Sequence, residues 1–251
     1  MDWSEDGIVV AARKHGESSA LVQLLTRGHG RHAGLVRGGA GSRARGVYQP
    51  GNLVAARWRA RLPEHLGVFT CELERSTAAA FLDDPLRLAG LSAACAIASS
   101  ALPERHPYPA LYDATLALIE AIADEPEWAA VYVRWELGLL DELGFGLDLS
   151  ACAATGSNDD LTYVSPKTGR AVSRAAGEPY RDRLLPLPGF LVGTGEAGAG
   201  DVAAGLRLTG DFIDRHLFAP HERKLPAARE RFVERFARTT TTSGVITAKS
   251  P

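Results

Sequence analysis

Cysteine is scarce in this chain of 251 residues: three, at positions 71, 95 and 152, are too few and too scattered for a disulfide framework, and a reduced, cytoplasmic protein is expected. No uninterrupted apolar run reaches the roughly 18 residues that a membrane-spanning helix needs, so no membrane partner is expected. The opening MDWSEDG is acidic and has no apolar core, so it does not read as a secretory leader. G-x-x-x-x-G-K-[ST], G-x-S-x-G and H-E-x-x-H are all missing, which removes the common routes to nucleotide hydrolysis, serine catalysis and zinc proteolysis. Cys71 falls in an apolar strand and Cys95 in an alanine-rich helix, the settings of inert buried thiols. The histidines at 15, 29, 32, 65, 106, 216 and 221 show no ligand spacing and read as polar surface residues; His29 and His32, beside Arg27 and Arg31, are placed to assist phosphate binding at lower pH. The expectation is a protein that is not an enzyme, with no cofactor and no metal.

Acidic residues are also missing where they matter most. Arg31–Arg61 holds seven arginines and no acid, and residues 7–61 carry ten lysines and arginines against Glu17 alone, a net charge of +9 hidden inside a whole-chain value of −2. Within this stretch Leu53, Ala55, Arg57, Arg59 and Arg61 share one parity, and Val54, Ala56, Trp58, Ala60 and Leu62 the other. Side chains alternate across a strand, so one face would be cationic and the other apolar. Beside it the segment Gly38–Pro50 carries Arg43 and Arg45 among four glycines, and reads as a flexible loop able to follow an irregular polyanion. Nucleic acid is the expected ligand. The expected contacts are Lys14, Arg27, Arg31, Arg37, Arg43, Arg45, Arg57, Arg59 and Arg61, binding phosphates without sequence preference. Stacking should be minor, since the basic parity has no aromatic residue and Tyr48 is the nearby candidate.

In chain order, strands are expected at Gly7–Lys14, Ala20–Thr26, Arg31–Arg37, Asn52–Leu62 and Leu66–Arg75, with glycine-rich turns between them. Five such strands suggest a small closed barrel, because closure removes sheet edges. From Asp83-Asp84-Pro85 the pattern becomes helical, with a capping aspartate and proline in the first turn. Helices are expected at Leu86–Leu102, at Pro109–Asp124 with Leu111, Leu118 and Ile122 inward, and at Glu127–Leu143 with Trp128, Val131, Trp135 and Leu139 as a core stripe closed by Gly144. A small hairpin, Leu161–Val164 with Arg170–Ser173, precedes helices at Asp201–Phe218 and Pro226–Arg238. The fold class is α+β: a barrel domain at 1–80, a mainly helical domain at 81–238 with an insertion at 147–190, and a disordered tail at 239–251.

Two local patterns fail as sites. Gly193-Thr194-Gly195-Glu196-Ala197-Gly198 matches G-x-G-x-x-G, but no second parallel strand follows to complete a dinucleotide site, and Glu196 would face the pyrophosphate. Cys152-Ala153-Ala154-Thr155-Gly156 has the outline of a C-x-x-C-G zinc knuckle with threonine in place of the second cysteine. One thiolate cannot hold structural zinc, so the hairpin must be held by packing and hydrogen bonds, with Tyr163 and Tyr180 as candidates.

Several segments together carry a resemblance: Gly7-Ile8-Val9-Val10, Gly16-Glu17-Ser18-Ser19, Leu24-Leu25-Thr26 with Gly30 after it, Leu35-Val36-Arg37-Gly38-Gly39, the run ELGLLDELGFGLDL from Glu136 to Leu149, Cys152–Gly156 and LTYVSPKTGRAVS from Leu161 to Ser173. In this order they resemble the RecO family of bacterial recombination mediator and DNA repair proteins, over nearly all the chain except the tail. The resemblance implies an N-terminal five-stranded OB-fold barrel followed by a helical domain, with a zinc-finger-like insertion in many members; here three of four expected cysteines are absent. It implies binding of single- and double-stranded DNA, annealing of complementary strands, and help in loading the recombinase RecA onto strands coated by single-stranded DNA-binding protein, close to the nucleoid. The implied protein partners are RecR and the C-terminal tail of the coating protein, with RecA engaged indirectly. That acidic-hydrophobic tail would need an apolar pocket rimmed by a cation, with Arg134 and Arg105 as candidates by location. Two alternatives differ in class: an RNA-binding OB protein, and an enzyme using the 193–198 loop for a nucleotide cofactor.

Overall fold

The computed structural model describes residues 1–247. Five strands, β1 (Asp2–His15), β2 (Ser19–Thr26), β3 (Gly30–Val36), β4 (Leu53–Arg59) and β5 (Val68–Arg75), close into a barrel of order β1-β2-β3-β5-β4. This is the expected OB-type barrel, with β1 starting earlier and β4 stopping earlier than the sequence pattern implied. Closure follows from the length of β1. Its first half, Asp2–Ile8, pairs with β4 and its second half, Gly7–His15, with β2, with a register shift between Val9 and Ala11 that lets the strand bend. On the other side β3 meets β5 in parallel through Leu35 and Val68. Gly34 makes this approach possible, because a Cβ there would lie 2.3 Å from the Phe69 ring. Val9, Val22, Leu24, Val54, Ala56, Trp58 and Phe69 fill the interior.

The segment Gly38–Pro50 is not the free loop expected from its glycines. It carries the short helix α1 (Ser42–Val47) and is tied down at several points. Tyr48, 7% exposed, is inserted into the barrel core. The buried Asn52 amide donates to the carbonyls of Gly46 and Val47 at 2.9 and 3.0 Å, and its oxygen accepts from the Ala78 amide. The Ala40 amide donates to Ser18 O at 2.9 Å. Glycine content signalled conformational freedom; one aromatic and one asparagine remove it.

After β5 come α2 (Thr77–Ala80), α3 (Pro85–Ala101) and α4 (Pro109–Asp124). Asp84 caps α3 by accepting from the Leu86 and Arg87 amides, as its place before Pro85 foretold. Packing divides the chain into two compact units, Met1–Glu125 with Pro226–Phe232, and Pro126–Leu225 with the residues from Val233 onward. Strand gives way to helix between Arg75 and Thr77, ahead of the expected boundary at 80/81, and the packing division falls at 125/126.

The second unit holds α5 (Trp128–Glu142), a three-stranded antiparallel sheet of β6 (Leu161–Val164), β7 (Ala171–Ser173) and β8 (Leu185–Pro186), the turn α6 (Arg174–Gly177), and α7 (Ala199–Ile213). Trp128, Trp135 and Leu139 are buried as the stripe required, with Val131 half-buried, and Gly144 ends the helix at φ +84°. Glu136, also fully buried, stands outside that pattern and accepts a hydrogen bond from the Thr209 hydroxyl of α7. The helix expected through Phe218 stops at Ile213, and residues 214–218 form a π-helical turn. The last helix, α8 (Ala227–Thr247), runs nine residues into the stretch expected to be disordered. Extending an existing helix needs no new nucleus, and the Thr239 hydroxyl bonds Arg235 O. Residues 248–251 of that expected tail lie outside the described residues. Among the described residues no helix is long and apolar enough to cross a membrane.

Candidate nucleic-acid interface

Alternation along β4 places Val54, Ala56 and Trp58 in the core and Arg57 and Arg59 on the exposed face. Arg61 shares their parity but lies past the end of β4, exposed in the turn that leads to β5. Closure of the barrel adds what strand parity could not show. The register sets Asp2, Ser4 and Asp6 of β1 opposite Arg59, Arg57 and Ala55, and Glu72 of β5 opposite Ala55. Arg57 donates to the Asp2 carboxylate at 3.0 Å, and that hydrogen bond holds the Asp2 carboxyl below the usual carboxylate range. Arg57 is therefore partly neutralised within the chain.

Arg37, at the end of β3, joins Arg57 and Arg59 around a groove of about 630 Å³ lined also by Tyr48, Phe69, Thr70 and Cys71. Burial pushes the Cys71 thiol up to about 11, so it is a neutral wall of the groove and not a nucleophile. Tyr48, the expected stacking residue, has its ring in the core and is removed from that role. A second recess, of about 360 Å³, lies between the 38–50 segment and the end of β1, lined by Arg13, Lys14, Arg45 and Gln49. Arg13 is not among the sequence candidates; it adjoins Lys14 on β1, and the fold brings Arg45 of the 38–50 segment to the same recess. Arg13, Lys14, Arg37, Arg43, Arg45, Arg59 and Arg61 are all exposed and have no ion-pair partner among the described residues.

Two sequence candidates have other employment. Arg27 makes a two-pronged bond to Asp113 of α4, at 3.1 Å from each nitrogen. Arg31 is half-buried, with Nε donating to Leu102 O at 2.7 Å and a terminal nitrogen to Gln23 at 3.2 Å. The histidines differ in the same way. His29 stacks on Trp3 with ring centres 4.2 Å apart and bonds Glu5 at 2.8 Å. His32, expected on the surface, is 5% exposed between Trp3, Trp58 and Phe69, with neither ring nitrogen hydrogen-bonded. Burial, then the nearby charges of Arg105 and His29, lower its pKa to about 4, so it cannot meet a phosphate as a cation at neutral pH.

His32 is neutral in the fold and titrates near 6.5 when unfolded, so the unfolded chain binds the extra proton as pH falls. Stability should be full above about pH 6.5 and decline by roughly 1–3 kcal/mol on going down to about pH 4. His32→Phe keeps a ring in place without a titrating group, and urea unfolding of that variant should lose most of this acid dependence. An unchanged slope between pH 4 and 6.5 would show that other groups carry it.

Arg105 is a strut of the barrel: it donates to the carbonyls of Pro63 and His65 and lies 5.9 Å from the Trp58 ring centre. Arg134, on α5 in the second unit, is exposed, lies over the Phe190 ring at 5.3 Å and donates to Phe190 O.

The remaining motifs are structural. Residues 193–198 lead into α7, and the sheet preceding them is antiparallel, so among the described residues they have no parallel βαβ unit. The zinc that the family resemblance implies for many members does not fit these residues: among those described, no group of three His, Cys, Asp or Glu could hold a metal. Cys152, 1% exposed, accepts from the Ser173 amide at 3.3 Å. Burial pushes its thiol up, but the hydroxyls of Ser173 and Thr155 and the amides of Ser173 and Ala154 outweigh that and hold it down at about 6. Tyr163 contributes to the hairpin by donating to Glu178 at 3.1 Å, whereas Tyr180 is 60% exposed and does not.

The family model described as Recombination protein O N terminal matches residues 1–76, and that described as Recombination protein O C terminal matches residues 82–225. A DNA repair protein RecO of Rhodospirillum centenum is 63% identical over 250 residues, covering 99% of this chain and 100% of the relative. DNA repair proteins RecO of Rhodospirillum rubrum and Phenylobacterium zucineum are 55% and 54% identical, covering 95% and 94% of this chain and 97% and 98% of theirs.

Proposed function

The chain belongs to the RecO family, and from that premise we propose that it acts in DNA repair as a DNA-binding mediator and not as an enzyme. The observation that carries this reading is the set of exposed cations around the 38–50 segment of the barrel that have no ion-pair partner among the described residues. Such groups neutralise phosphates and release counterions, which favours single- or double-stranded DNA of any sequence. Two complementary strands drawn to one cationic barrel repel each other less, and pairing is then accelerated without covalent chemistry. The barrel at 1–80 is the nucleic-acid-binding part in this reading. RecR and the acidic-hydrophobic tail of single-stranded DNA-binding protein are its protein partners, and through them it assists RecA on coated strands in the cytoplasm.

The test is the pairing rate of complementary oligonucleotides followed by fluorescence quenching. The full chain should speed pairing several-fold at low salt, with the effect fading as salt rises. No acceleration at any salt would remove annealing from the proposal. Competition of unlabelled RNA against bound DNA checks the neighbouring reading, which predicts that RNA of equal length competes better.

A further inference from the structure

The cationic surface of the barrel is not one patch. The 38–50 segment lines the recess and reaches the groove through Tyr48; it is fixed by Tyr48 in the core, by Asn52 bonded to Gly46 and Val47, and by Ala40 bonded to Ser18. Gly39 fits closely against Ala20 and Val36, where an added Cβ would lie 2.9–3.0 Å from their side chains. The groove holds Arg37, Arg57 and Arg59, and the recess holds Arg13, Lys14 and Arg45. The two share Tyr48 as a lining residue and no cation. Both volumes, about 630 and 360 Å³, fall in the range of roughly 300–1,000 Å³ that holds ligand groups such as a nucleotide unit.

We infer that these are two separate single-strand tracks, so that one chain holds two nucleic-acid strands at once with the Tyr48-anchored segment as the wall between them. The inference rests on the nucleic-acid reading above and adds to it the number and place of the strands. Each track supplies three cations, which offset the phosphates of a short stretch of strand, and the wall keeps the first strand from filling both. The tracks differ in charge. Asp2 partly neutralises Arg57 in the groove, while no acid among the described residues lines the recess. The recess should therefore fill first.

The experiment is titration of the full chain with an oligothymidylate of about six residues, which cannot self-pair, read as bound strands per chain by native mass spectrometry at low salt. Two strands per chain are expected. Arg13→Glu with Lys14→Glu should leave one, and Arg37→Glu with Arg59→Glu should also leave one; each pair should abolish accelerated pairing while keeping strand binding. All four side chains are exposed, and unchanged melting midpoints confirm folding; the matching glutamine variants should show the same pattern more weakly. Saturation of the unaltered chain at one strand, with both variants weakening that one event, would mean a single continuous path, overturning the two tracks and leaving DNA binding intact. No strand bound at any salt would overturn the nucleic-acid reading itself, and the tracks with it.

Discussion

Changing Lys14, Arg37, Arg45 and Arg59 together to glutamine should lower affinity for a short single strand by roughly 10- to 100-fold at low salt, with little change in melting temperature. Each of the four is exposed and has no ion-pair partner among the described residues, and their loss removes two cations from the recess and two from the groove. The contrast with their neighbours makes the prediction specific. Arg27→Gln should leave affinity almost unchanged, since that guanidinium is bound to Asp113. Arg31→Gln should lower stability more than affinity, since it removes the bonds to Leu102 O and Gln23. Arg57→Gln should fall between, and Asp2→Asn should raise affinity by releasing Arg57. Fluorescence anisotropy with labelled oligothymidylate measures all five. A loss in Arg27→Gln as large as that in Arg57→Gln would mean that overall charge, and not this arrangement, controls binding.

The second large effect is on stability. Trp58→Ala should cost about 3–5 kcal/mol, near the upper end for a single core truncation. Trp58 is 2% exposed, lies 4.8 Å from the His32 ring and 5.9 Å from that of Trp3, and donates to Leu66 O at 3.0 Å. It also fixes the turn before β5: Gly67, at φ +69°, passes so close that an added Cβ would lie 2.3 Å from the indole nitrogen. Thermal unfolding should show a drop on the order of 10–20 °C. Arg57→Ala, one position away on the opposite face, should change stability by less than about 0.5 kcal/mol. A similar loss at both positions would contradict the burial alternation of β4.

That alternation was legible in the sequence because a strand imposes a period of two and Val54, Ala56 and Trp58 share a parity. The capping role of Asp84 and the stop at Gly144 were legible for equally local reasons. What could not be read depends on which distant residues closure brings together. Arg57 and Arg59 look alike in sequence, and the Asp2 carboxylate that separates them is 55 positions from Arg57. Arg31 resembles any other arginine of the basic stretch until Leu102 O meets it. His32 reads as polar, yet three aromatic rings enclose it. Glycines 38, 39, 41 and 46 signalled freedom, whereas Tyr48 and Asn52 decide the outcome through contacts with the barrel. Cys152 was legible as a metal ligand without companions; the Ser173 amide that it accepts from lies 21 positions away.

If this barrel holds nucleic acid by neutralising phosphates with its exposed cations, the affinity of the full chain for a short oligothymidylate should depend steeply on salt between about 50 and 500 mM. With three cations per strand, a plot of log affinity against log salt should fall linearly with a slope of roughly −2, and the quadruple glutamine variant should flatten it to about −0.7. A slope near zero, or the same slope in both proteins, would contradict phosphate neutralisation as the basis of binding.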